Sequence, residues 1–233
     1  MDKTSVIPIR YWRDIDWRQP SVIALVLANL VPVFGVLVLH WEVFPLMFLF
    51  WSENVILGVF NVLKMLVNLP SIPANWVVKL FVIPFFCVHY GMFTYGHGSF
   101  VMLLFGGGLN HMHGFPGFAD FWKVIGEFGL GWAILGLVVS HGVSFVTNYI
   151  GKNEYRRVGL MELMNQPYGR IVVMHLAILF GGFLVLALHS RTPALLLLVA
   201  LKIGFDLRCH AREQKKSAAN STAAPAADQV ASF

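Results

Sequence analysis

The stretch Trp51-Ser52-Glu53-Asn54-Val55-Ile56-Leu57-Gly58-Val59-Phe60-Asn61-Val62-Leu63-Lys64-Met65 decides how this chain is read. It lies in an apolar run from about Phe44 to Val67, close to the ~20 residues that a helix needs to cross a bilayer. A carboxylate, two carboxamides and an ammonium are costly there, since one central charge alone costs ~2.5–3.5 kcal/mol on insertion scales. At ~100° per residue, Asn54, Leu57, Asn61 and Lys64 share one stripe, with Glu53 on its edge. Such a stripe must face other protein or an internal cavity. The expectation is a membrane bundle with a polar interior.

Composition agrees. Of 233 residues 57 % are hydrophobic and 12 % charged, and the mean hydropathy is +0.68. A soluble domain carries about 25 % charge. The net charge of +5 is no nucleic-acid footprint, because the basic residues sit where membrane topology would put them. Cys87 and Cys209 fall near different ends of different spans, which argues against a disulfide. The first 20 residues, with Arg10, Tyr11, Trp12, Arg13, Trp17 and Arg18, do not resemble a cleaved signal. They suit a cytoplasmic segment resting at the headgroup interface.

The all-α fold predicted is a bundle of six transmembrane helices over residues 21–212, followed by a disordered cytoplasmic tail (213–233). The spans run from about Ser21 to His40, Phe44 to Val67, Trp76 to about His97 or a little beyond, Glu127 to Ile150, Arg170 to Leu188 and Ala194 to Cys209. A glycine-rich loop (106–120) joins the third and fourth, and a polar connector (151–169) the fourth and fifth. Lys and Arg orient the bundle. Four lie in the N-terminal segment, two flank the 2–3 turn, four lie in the 4–5 connection counting Arg170, and five lie between Lys202 and Lys216. Those fifteen fall on one side against Lys123 and Arg191 on the other, so both termini are expected in the cytoplasm.

At ~1.5 Å per residue, His141, His175 and Asp206 come to a similar depth, roughly 9–14 Å from the cytoplasmic surface, on three different spans. Imidazole and carboxylate ligands converging in this way can hold a divalent metal such as Zn, Fe or Mn. The plainer reading pairs Asp206 with Lys202 four residues away and leaves the histidines to backbone or to Asn61. Lys202, Asp206 and His210 share a face, and no HExxH-like spacing supports a metal. On the outer side, His111-Met112-His113 is a second metal candidate, for Cu or Zn. Glu53 is expected to face His89, each offsetting the other's burial, as a structural pair or as an acid–base couple. No serine nucleophile turn, phosphate-binding loop, dinucleotide fingerprint or haem-attachment motif is present.

Trp51-x-Glu53-Asn54-x-x-x-Gly58-x-x-Asn61-x-x-Lys64-Met65 resembles the signature of a family of bacterial integral membrane proteins catalogued only as a domain of unknown function. Arg170-Ile171-Val172-Val173-Met174-His175 and Lys202-x-x-x-Asp206-Leu207-x-x-His210 resemble the same family, over about 25–212. The resemblance implies a multi-span protein of the bacterial inner membrane and no particular reaction. Three functions stay open. One is a membrane-embedded enzyme, metal-dependent in one version, with Glu53 and His89 as catalytic groups and Asn54, Asn61, Lys64, Lys202 and His210 in support. The others are a transporter of protons, ions or small solutes, and a non-enzymatic scaffold or partner subunit. Beyond the lipid bilayer, a second copy or another membrane subunit is an open partner.

Overall fold

The computed structural model describes residues 20–69, 74–106, 115–190 and 192–223. They form α1 (Pro20–Val38), α2 (Val43–Val67), α3 (Ala74–Phe105), α4 (Phe118–Glu127), α5 (Gly131–Ser144), α6 (Leu160–Asn165), α7 (Tyr168–Leu188) and α8 (Thr192–Ala223). A π-helical turn, Phe145–Ile150, extends α5, and a 3-10 turn, Glu154–Arg156, precedes α6. Among the described residues there is no strand. Among the described residues, four stretches are long and apolar enough to cross a membrane: Val43–Val67, Trp76–Phe105, Gly131–Ile150 and Leu160–Leu188. The outer His111-Met112-His113 candidate lies outside the described residues.

Three boundaries differ from expectation. The third helix runs on to Phe105, because Phe100-Val101-Met102-Leu103-Leu104-Phe105 carries no breaker before Gly106. Ahead of α5 lies the separate helix α4, whose Phe121 and Val124 are buried on one face. It begins where Asp120 Oδ2 accepts the Gly117 N–H at 2.7 Å, and it is cut from α5 at Gly129, whose φ of +61° favours glycine. Third, residues 213–223, expected in the disordered tail, continue α8 to Ala223. Their Ala, Gln, Glu and Lys are strong helix formers that need no packing partner to extend a helix already begun.

α2 is the hub, packed against α3, α5, α6, α7 and α8. Two apolar clusters bracket it. One gathers Phe44, Met47 and Phe48 with Val101 and Phe105 of α3 and Leu195 of α8. The other gathers Met65 with Phe86, Tyr90, Tyr149, Leu163 and Ile171. Between them along α2 lie Glu53, Asn54 and Asn61. In lipid, burying an apolar side chain gains packing and little hydrophobic energy, so close fits and polar ties decide how helices meet. The α2–α3 fit is reciprocal. The Trp51 ring of α2 covers Gly98 of α3, where a Cβ would come within 2.5 Å of Cε2. The Tyr90 ring of α3 covers Gly58 of α2. α7 meets α8 closely through its own glycines, with Gly181 against Ala194 and Gly169 under the Phe205 ring.

Candidate functional site

Most residues of the α2 motif have an identifiable task. Trp51 Nε1 donates to the Thr94 carbonyl at 2.7 Å, and its ring stacks on Phe121 at 4.8 Å. Tyr90 donates to the Asn54 carbonyl at 2.8 Å. At the far end Tyr149 donates to the Lys64 carbonyl at 2.9 Å, and Lys64 Nζ lies 5.6 Å from the centre of that ring. Lys79 of α3, 7 % exposed, turns back to donate to the carbonyls of Leu66 and Asn68 at 2.8 and 2.9 Å. It thereby satisfies orphan acceptors at the end of α2. Asn68 Nδ2 in turn donates to the carbonyls of Tyr155 and Val158.

Glu53 is the centre. Its Oε1 accepts from Arg170 Nη1 at 2.7 Å, and its Oε2 accepts from Lys202 Nζ at 3.1 Å. His141 Nε2 lies 3.9 Å from Oε1. Four helices thus meet at one carboxylate: α2, α5, α7 and α8. The side chains are 15 % exposed for Glu53, 30 % for Arg170, and 23 % each for Lys202 and His141, so the cluster is recessed but reachable. Lys202 Nζ also sits 4.7 Å over the Phe50 ring. Beside the cluster is a cleft of about 30 Å³ between α2, α7 and α8, lined by Glu53, Asn54, Arg170, Lys202 and Asp206. A cavity of this size holds one or two waters. Asn54 donates through Nδ2 to the Phe50 carbonyl at 2.9 Å, and its buried Oδ1 has no hydrogen-bond partner among the described residues. That carbonyl calls for a donor from the cleft.

The expected Glu53–His89 pair does not form. His89 stacks on Phe85 at 5.2 Å and lies 5.9 Å from the Tyr168 ring. Counting along the helices puts the two at a similar depth, but His89 packs against Tyr168 of α7, while Glu53 bonds Arg170 of α7 and Lys202 of α8. His141, His175 and Asp206 separate as well. His141 approaches Glu53, Asp206 lines the Glu53 cleft, and His175 Nδ1 lies 3.0 Å from His97 Nε2. Among the described residues no three His, Cys, Asp or Glu side chains are grouped to hold a metal ion. Asn61 is buried with its Nδ2 unpartnered among the described residues, and the side chain of His210 lies outside them.

Arg170 is the Glu53 partner that the sequence pattern alone does not pick out. It was counted with Lys202 among fifteen topology-setting charges, yet both are spent on Glu53. The signal was available in charge balance: one carboxylate deep in an apolar helix demands a cation, and Arg170 opens a motif of its own. The remaining basic residues keep the same strong asymmetry.

No curated protein and no solved structure matches this chain. A family model does, over residues 11–223, wider at both ends than the motif resemblance. The chain therefore belongs to DUF6498, a family of unknown function.

Proposed function

We propose that this is a six-span protein of the bacterial inner membrane, with both termini cytoplasmic, that carries a small monovalent anion together with a proton through the Glu53 cleft. Helices occupy all six expected stretches, and the Lys and Arg asymmetry supports the orientation. The observation that carries the transport reading is the seat of Glu53. Each carboxylate oxygen rests on a separate cation, so the side chain fills the place an anion would take. Two cations and two carboxylates, those of Glu53 and Asp206, line the cleft, a formal balance of zero with His141 neutral. An entering anion would leave an uncompensated charge at membrane depth unless Glu53 took up a proton as it gave way. Anion and proton therefore move together. A divalent metal is disfavoured at the same place by the two cations already there.

Proteoliposomes with an internal pH indicator test this reading. An inward chloride or nitrate gradient should acidify the interior of vesicles holding the wild-type protein. Glu53→Gln should lose the acidification, and Lys202→Gln should lose anion entry. Wild-type vesicles indistinguishable from empty ones with both anions would overturn the proposal. A second reading, a membrane-embedded acid–base catalyst using Glu53 and His141, is favoured by their 3.9 Å separation.

A further inference from the structure

The Glu53 centre leaves unused a second group of imidazoles, along α3 and α7. His89 and His97 belong to α3, and His175 to α7. His97 is buried, and its Nδ1 lies 2.7 Å from the Phe93 carbonyl oxygen. A carbonyl only accepts, so Nδ1 carries the proton. No carboxylate pairs with His97 or His175 among the described residues, and an uncompensated charge is costly at this depth. His97 is then neutral, and its Nε2 accepts. The partner atom at 3.0 Å, His175 Nδ1, must donate. This hydrogen-bond chain assigns the tautomer of the second ring from the first. It leaves His175 Nε2 as a bare acceptor with no partner among the described residues, on a side chain that is exposed.

That acceptor opens into two adjoining hollows which share Phe93, His97 and His175. The smaller, about 220 Å³, also touches the rings of His89 and Tyr168. The larger, about 610 Å³, follows α3 and α7 past Phe100, Phe183 and Leu186 and is apolar beyond the two histidines. The volume is that of an ordinary ligand site. Imidazoles and one phenol at one end of a long apolar groove suit an amphiphile with a single polar group. The ester carbonyls of common lipids are themselves acceptors and cannot satisfy His175 Nε2, whereas an O–H can.

We propose that the α3–α7 groove binds a membrane-dissolved alcohol or phenol, whose hydroxyl donates to His175 Nε2 and whose apolar chain lies along the groove. The head rests between His89, Tyr168 and His175. Gly96 lines the apolar part, and a Cβ built there meets nothing within 4 Å, so a larger side chain at 96 fills the groove without disturbing the helices.

The full chain in lipid nanodiscs is photolabelled with a diazirine-bearing long-chain alcohol and, separately, with its methyl ether, and labelled peptides are mapped by mass spectrometry. The alcohol should label residues 92–104 and 175–186 about tenfold more than the ether, the value of one hydrogen bond. His175→Phe should reduce the alcohol to the ether's level. Gly96→Leu should suppress labelling by both probes while keeping the wild-type melting temperature. Equal labelling by alcohol and ether overturns the proposal, as does label spread over all lipid-facing helices. A groove protected from both probes and crosslinked to a second chain also overturns it, since another polypeptide would then be the occupant.

Discussion

Replacing Glu53 with glutamine tests the centre of the structure most directly. The carboxylate neutralises Arg170 at 2.7 Å and Lys202 at 3.1 Å, on a side chain only 15 % exposed. Glutamine keeps the shape and one acceptor oxygen but removes the charge that Arg170 and Lys202 share. Breaking a buried pair by removing one partner costs about 3–5 kcal/mol. The cations here are 30 % and 23 % exposed and border a water-sized cleft, so the lower end, about 3 kcal/mol, is expected. At about 2–4 °C per kcal/mol for a chain of this size, the melting temperature should fall by about 6–12 °C. The assay is thermal unfolding in a single detergent, followed by tryptophan fluorescence. Lys123→Gln is the control. Its partner Glu127 is 3.7 Å away on an open surface, with side chains 71 % and 54 % exposed, where such i,i+4 pairs are worth about 0.3–0.5 kcal/mol. The double variant Glu53→Gln/Lys202→Met should recover part of the loss, because the excess positive charge at the cleft is smaller by one. An E53Q melt within about 2 °C of wild type, or no larger than that of K123Q, would refute a buried, coupled centre.

Gly98→Leu should destabilise strongly, since the Trp51 ring leaves no room for a Cβ; overpacking of this kind costs about 1–3 kcal/mol or more, and Trp51→Ala in the same chain should restore part of the lost melting temperature. Lys79→Met keeps the stem but abandons two carbonyls at the end of α2, and a loss of about 2–3 kcal/mol is expected, read as faster proteolysis of the turn after α2. Tyr149→Phe removes only the hydrogen bond to the Lys64 carbonyl, and its cost should stay near 1 kcal/mol in the same melts.

The helices were legible in the sequence because their signal is local. A run of apolar residues closed by Pro, Gly or a charge marks a span whatever surrounds it, and α2 begins and ends within a residue of where its pattern says. The polar stripe of α2 was legible too, since Asn54 and Asn61 are both buried. Partnership was not. Depth along a helix follows from counting, but the rotation of each helix is set by interlocks such as Trp51 on Gly98, which join residues far apart in the chain. Glu53 and His89 match in counted depth, yet Glu53 meets Arg170 and Lys202 while His89 meets Phe85 and Tyr168. Lys202 and Arg170 carry long side chains that reach sideways to a neighbouring helix, so an i,i+4 pairing of Lys202 with Asp206 was only one of its options. Lys79 shows the same limit, since as a flanking charge it reads as a topology marker, while its ammonium turns back to cap α2.

The exchanged aromatics and glycines of α2 and α3 have a mechanical consequence. Each helix inserts a ring into a notch cut in the other, at Gly58 and at Gly98, and the two notches are on different helices. A joint of that form resists sliding in both directions and resists rolling, because either motion drives a ring into backbone. α2 and α3 therefore travel as one plank. Any opening of the Glu53 cleft must come from α7 and α8 swinging away from that plank, with Arg170 and Lys202 as the clasps that let go.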